Sequence, residues 1–287
     1  MLASIIVSVI LPLVLAFIMF SLGLGLRLAD FARVFKYPKV FTIGLLNQLI
    51  LLPLVAYGIV LTFRLSPELA IGTMILAFSP GGVTSNLLAR LAKGNAPVSI
   101  SLTAVVSLLS VITVPILVGL TFKHFQGDAT QEIDVTMLGV KMFLLTAVPV
   151  GLGMLLTAKT SGFVEKASKV ISNIAMGLFM LVIIAAIAAN WKTLSSNLPT
   201  LGPALVLLNI LLLGLGLLTA KLSKLSFGDA TTVAIESGVQ NGTVAITIGL
   251  IAIGAEGLPP ITVPAAVYGV TMYFITLPFV FWRRRCG

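Results

Sequence analysis

One carboxylate in this chain sits among residues that should exclude it. Glu236 lies in AIESGVQNG at 234–242, and apolar residues continue on both sides, from Ala230 and on to Ala255. In a segment that crosses a bilayer such a charge costs a few kcal/mol, so it faces a partner or a wet cavity. A second motif can supply that partner. PGGVTSN at 80–86 carries its own helix breakers and a Ser85/Asn86 pair inside another apolar segment. Carboxylate, amide and hydroxyl oxygens gathered at two breaks are the chemistry of a cation site. A broken span in each half of the chain is the plan of a secondary transporter.

Composition sets the stage for both motifs. Of 287 residues 58% are hydrophobic and 9% charged, which leaves too little polar surface to coat a soluble globule. The chain is therefore expected to be an all-α polytopic membrane protein of one domain, with the lipid bilayer as its surroundings and as a monomer. Lys and Arg outnumber Asp and Glu by 18 to 9. In a membrane protein that excess reports loop orientation, and no nucleic-acid partner is expected. Cys286 is the only cysteine and lies beside the C-terminus, which excludes an internal disulfide and a thiol site within the membrane.

Crossing ~30 Å of hydrocarbon takes ~20 apolar residues in a helix. Nine runs meet that length: Met1–Leu26, Val40–Phe63, Leu69–Ala89, Ala96–Phe122, Val135–Ala158, Val170–Trp191, Leu198–Ala220, Ala230–Ala255 and Gly257–Trp282. Met1–Leu26 has no basic leader and no small-residue cleavage site, so it reads as a retained helix. One set of alternate loops holds Arg27, Arg33, Lys36, Lys39, Arg90, Lys93, Lys159, Lys166, Lys169, Lys221, Lys224 and Arg283–Arg285, 14 in all, against Arg64, Lys123 and Lys192 in the other. By the positive-inside rule the N-terminus lies outside and the C-terminus in the cytoplasm, as in an inner (plasma) membrane protein. Asp128, Glu132 and Asp134 gather in an outside loop. Lys141 falls near an outer helix end and is expected to snorkel. His124 has no partner at metal spacing, and Trp191 and Trp282 mark helix ends. Asn47, Asn190 and Asn209 are expected to join helices by hydrogen bonds.

In this topology the third span runs inward and the eighth outward, so GGVTSN at 81–86 and SGVQN at 237–241 break their helices from opposite faces. That is an inverted repeat. Unpaired N–H and C=O groups at a break are tolerable only where they meet protein, water or ions. A simple kink between packed helices would account for the glycines and prolines but not for Glu236.

These motifs resemble those of the bile acid:sodium symporters and their bacterial homologues. GLGLRLADF at 23–31, YPKV at 37–40, PGGVTSN at 80–86, LAKGN at 91–95 and AIESGVQNG at 234–242 carry the resemblance, the last most specifically. The resemblance implies a core domain, residues 40–122 and 198–282, in which the two broken helices cross. Beside it stands a panel of residues 1–26 and 135–191. It implies two sodium ions behind the crossing: one held by Ser85, Asn86, Ser99, Thr103 and Glu236, the other by Gln48, Glu236 and Gln240 with the carbonyls of Ser237 and Val239. Substrate would bind in front, near Val83, Thr84 and Asn241. Bacterial members carry one more helix before the segment that matches Met1–Leu26, so this chain resembles the nine-helix animal members.

The functional expectation is a sodium-coupled symporter that imports a small organic anion, bile acid-like, pantoate-like or a keto acid, by alternating access. An arsenite or antimonite efflux carrier of the same fold would favour a membrane thiol, and Cys286 is misplaced for one. A channel could also use a broken helix, but it neither saturates nor concentrates its solute. A receptor or scaffold would not need a buried acid. No enzyme is expected: there is no HExxH and no Gly-Lys phosphate loop.

Overall fold

The computed structural model describes residues 10–127, 133–254 and 258–287, and among them all regular structure is helical. In chain order the helices are α1 Leu11–Leu24, α2 Leu28–Lys36, α3 Pro38–Thr62, α4 Pro67–Phe78, α5 Val83–Leu91 and α6 Ala96–Gln126. They continue as α7 Val135–Lys159, α8 Ser161–Ala189, α9 Trp191–Leu222, α10 Phe227–Gly238, α11 Gly242–Ile253 and α12 Val263–Cys286. Asp128, Glu132 and the first nine residues of the first run lie outside the described residues.

Six helices are long and apolar enough to cross a membrane, and two bent pairs raise the number to eight if each is one span. One bent pair was expected: α4 and α5 meet at 63° across PGGVTSN. The other was not. α1 turns by 65° into α2, so Arg27–Lys39 is not a plain loop but carries a nine-residue helix at the end of the first run. α10 and α11, twelve residues each, stand outside that count.

Local chemistry sets the irregularities that matter. α3 and α7 each contain a wide turn, Asn47–Leu51 and Phe143–Ala147, in which an N–H reaches back five residues, Leu52 to Asn47 and Val148 to Phe143. Pro53 and Pro149 follow directly. A proline has no N–H to give and its ring crowds the carbonyl one turn back, so the helix widens just before it. In α3 that widening sits where Asn47 and Gln48 are both buried.

The connection into each broken span is built the same way. After α3, Arg64 takes a left-handed conformation (φ 50°), the Leu65 N–H bonds the Val60 carbonyl, and Ser66 precedes α4. After α9, Lys224 does the same (φ 52°), Leu225 bonds the Ala220 carbonyl, and the Ser226 hydroxyl caps α10 by accepting from the Asp229 N–H at 3.1 Å. The same ending closes α5, where Lys93 (φ 58°) is followed by a bond from the Gly94 N–H to the Ala89 carbonyl, so it is this fold's common way of stopping a helix.

Around the breaks, α4 packs on α3, α6 and α11, while α9 packs on α10 and α12. α1 packs on α7 and α8. α11 packs on α1, α7 and α8, whereas the main packing of α5 is on α6, α12 and α10, and that of α10 is on α9, α6 and α5.

Candidate functional site: two crossed helix breaks

The two breaks, Ser79–Gly82 and Val239–Asn241, touch through their backbones. The Asn241 N–H donates to the Pro80 carbonyl at 2.9 Å, and the Asn241 side-chain oxygen caps α11 by accepting from the Val244 N–H at 3.2 Å. At the other end of the break the Gly238 carbonyl has lost its helical partner. Asn209 Nδ2 donates to it at 2.6 Å and Tyr268 Oη at 2.7 Å. Asn209 was expected to join helices, and it does. Tyr268, fully buried in the last helix, was not singled out by the sequence, where it is one of two tyrosines in an apolar run. Asn47 also joins helices, donating to Thr219 Oγ1 at 2.8 Å and Ser237 Oγ at 3.4 Å. Asn190 Nδ2 reaches the Leu258 carbonyl at 2.9 Å.

Four of the five residues expected at the first sodium site converge by direct hydrogen bonds. Ser99 Oγ lies 2.5 Å from Glu236 Oε1 and 2.8 Å from Asn86 Oδ1. Thr103 Oγ1 lies 2.7 Å from Glu236 Oε2 and 3.3 Å from Asn86 Oδ1. Ser99 and Thr103 are one turn apart on α6, so one helix face presents both hydroxyls. Ser85, the fifth, donates to the Gly82 carbonyl at 2.7 Å. Its hydroxyl borders the same space, because a Cβ on Gly81 would lie 2.9 Å from Glu236 Oε2, 3.3 Å from Ser85 Oγ and 3.6 Å from Thr103 Oγ1. Glycine at 81 is what leaves room beside the carboxylate.

This cluster is rich in oxygen and poor in protons. Ser99 and Thr103 have one hydroxyl proton each, yet four acceptor contacts face them: two to Glu236 and two to Asn86. An acceptor surplus in a buried site is costly unless a cation, or a proton on the carboxyl group, supplies the missing positive charge. One carboxylate among neutral oxygens suits a hard cation of low charge.

The residues expected at the second site form a separate group. Gln48 Nε2 donates to the Ser79 carbonyl and to Gln240 Oε1, both at 2.9 Å, so one side chain from the wide turn of α3 ties the two breaks together. Gln240 Nε2 in turn donates to the Ser237 carbonyl at 3.0 Å. Val239 is buried beside them. The hydrogen bonds of the Glu236 side chain go to the first group, not to this one.

Val83, Thr84 and Asn241 line one narrow crevice. Its other wall comes from α1 and α8, with Ile18, Ser21, Ser172, Met176 and Phe179. Amides and hydroxyls provide its polar groups, and no described lining residue is charged. LAKGN has a role as well. Asn95 caps α6 and holds the start of α10, donating from Nδ2 to Asp229 Oδ1 at 2.8 Å and from its N–H to Thr232 Oγ1 at 2.8 Å. His124 stands in α6 rather than in a loop and bonds Tyr57 Oη at 3.0 Å. Lys141 is exposed on α7.

The profile of the sodium bile acid symporter family matches residues 12–197. The chain belongs to that family. Over 264 residues it is 28% identical to a sodium-dependent transporter of Bacillus subtilis, YocS, covering 92% of this chain and 79% of the relative. It is 29% identical over 274 residues to a probable chloroplastic sodium/metabolite cotransporter of Oryza sativa, covering 94% of this chain and 63% of that relative. The human ileal sodium/bile acid cotransporter is 27% identical over 273 residues, 93% of this chain and 76% of its own length. As a member of this symporter family the chain is a multi-pass membrane protein whose kin depend on sodium. The matched region includes PGGVTSN, Ser99 and Thr103, so half of the crossed-break site falls inside it; AIESGVQNG lies beyond.

Proposed function

We propose that this protein is a sodium-coupled symporter that imports a small organic anion by alternating access. The observation that carries the reading is the proton-poor oxygen cluster of Glu236, Asn86, Ser99 and Thr103 at the crossing of two helix breaks. A sodium ion there is coordinated by these groups and Ser85, and it draws α5, α6 and α10 together. A second ion takes Gln48, Gln240 and the carbonyls of Ser237 and Val239. For that ion to enter, the Gln48–Gln240 hydrogen bond opens so that both amide oxygens turn to the metal, and Glu236 supplies the neutralising charge to both.

In this reading the nine spans comprise a core of residues 40–122 and 198–282 and a panel of residues 1–26 and 135–191. α10 and α11 together make the eighth span. The RLSP and KLSF turns each lead into a broken span, which fits the inverted repeat. The N-terminus is outside, and the C-terminus is on the cytoplasmic face of the plasma membrane. α11 belongs to the outer half of its broken span and packs on the panel, while the main packing of α5 and α10, the inner halves, lies elsewhere. The crevice therefore opens to the cytoplasm in this state. Substrate binds there against Val83, Thr84 and Asn241, with N–H groups at the starts of α5 and α11 in place of a basic side chain.

The test is uptake into proteoliposomes of a panel of radiolabelled carboxylates under an inward sodium gradient. One or more should accumulate above equilibrium, saturably, with a Hill coefficient for sodium above 1 and up to about 2. Accumulation of none, or equal uptake in potassium, would reject the proposal.

A further inference from the structure

α2 is built unlike any neighbouring element. It leaves the axis of α1 at 65° at the end of the first run, where Arg27, Arg33 and Lys36 follow the apolar residues. One face holds it to the protein. Asp30 accepts from the Arg27 N–H at 2.7 Å and pairs with Arg33 at 2.6 Å, and Arg33 goes on to the Pro97 carbonyl at 3.2 Å and Ser101 Oγ at 3.0 Å. Those contacts seat α2 on the first turns of α6, on either side of Ser99.

The other face is uncovered. Leu28 is 81% exposed and Phe35 87%, two turns apart, with exposed Ala32 between them. Arg27 and Lys36 flank this strip, Lys39 follows in the first turn of α3, and all three are exposed. The one acid on the helix is taken up by Arg33, so nothing on α2 neutralises these three. A second copy of the chain is a poor cover, because pairing this face with itself would oppose like charges. An apolar strip edged by cations at the membrane boundary matches an anionic phospholipid, acyl chains under the ring and headgroup against the bases.

We propose that α2 lies in the headgroup layer and binds anionic phospholipid, with Phe35 and Leu28 inserted and Arg27, Lys36 and Lys39 on the headgroup. This inference does not depend on what the protein transports.

The test uses the full chain with Cys286→Ser and Phe35→Cys carrying an environment-sensitive fluorophore, in nanodiscs of phosphatidylcholine with a fixed fraction of brominated lipid. Brominated phosphatidylglycerol should quench the label several-fold more than brominated phosphatidylcholine at equal mole fraction, and 0.5 M salt should remove the difference. Arg27→Gln, Lys36→Gln and Lys39→Gln should each lower the preference by up to about fivefold. Arg90→Gln with Lys93→Gln, basic residues elsewhere on the same side, should preserve it. A thermal-shift measurement certifies that each variant is folded. Equal quenching by both lipids would overturn the headgroup assignment. Absence of quenching by either would show the face covered by protein, a second copy or an acidic partner, and would overturn the proposal outright.

Discussion

Glu236 is the residue on which the rest turns. Its two oxygens take Ser99 and Thr103, and the competing oxygen of Asn86 leaves those hydroxyls with more acceptors than protons. Glu236→Gln keeps the shape, removes the charge and adds two donors to the site proposed to hold a cation. Apparent sodium affinity, read from sodium-dependent thermal stabilisation, should fall roughly 10- to 100-fold, the worth of about 1.5–3 kcal/mol for a contact to a charged group. The fold itself should survive, since a neutral amide is cheaper to bury than an acid. Unchanged sodium dependence in this variant would remove the central assignment. Asn86→Ala and Gln48→Ala separate the two groups of ligands. Each should raise the sodium requirement and drop the Hill coefficient toward 1, but only Gln48→Ala should also loosen the bond between the breaks through Ser79 and Gln240.

At the scale of the element, the question is what keeps a broken helix in one shape. The Gly238 carbonyl is satisfied twice, by Asn209 and by Tyr268, and these two side chains bond each other at 2.9 Å. Removal of one donor should therefore cost little. Tyr268→Phe or Asn209→Leu alone is expected to destabilise by about 1 kcal/mol or less, in line with interhelical hydrogen bonds in membranes. The double variant strands the carbonyl and should cost about 1–3 kcal/mol beyond the sum of the singles. Chemical denaturation in detergent micelles measures the cycle; strict additivity would mean that the carbonyl finds another partner. Gly81 is the matching device at the other break, because a methyl group there would meet Glu236 Oε2. Gly81→Ala should impair the sodium response more than it impairs stability.

For the whole molecule, the proposed orientation rests on the 14 to 3 division of basic residues. Single cysteines at Ser196 and Gln126, in a Cys286→Ser background, should react with an impermeant thiol reagent applied to intact cells, and one at Lys221 should not. Reversed labelling would invert the topology. It would also turn the crevice lined by Val83, Thr84 and Asn241 to the outside, so the direction of transport and the charge rule stand or fall together.

Much of this protein was legible before folding. Apolar runs of membrane length, the charge asymmetry and an acid inside a span are one-dimensional signals, since bilayer thickness and the cost of burying charge act on each segment separately. The Ser85/Asn86 motif was legible as a partner for Glu236, but Ser99 and Thr103 were legible only through resemblance, because they are 137 and 133 residues away and nothing in their spacing points to it. Tertiary packing decided the rest. Arg283 counts as one of three terminal bases in the sequence; in the fold it is buried, stacked 3.8 Å from the Phe227 ring centroid and bonded to Thr231 Oγ1 through Nε and Nη2 at 2.9 and 2.8 Å. Tyr268 looks like any aromatic of a membrane helix until the Gly238 carbonyl needs a donor. The bend that frees α2 from the first span joins residues that read as a loop, because charge marks where a span ends but not what the chain does next. A sequence lists which groups are costly to bury, and only the fold settles which of them meet.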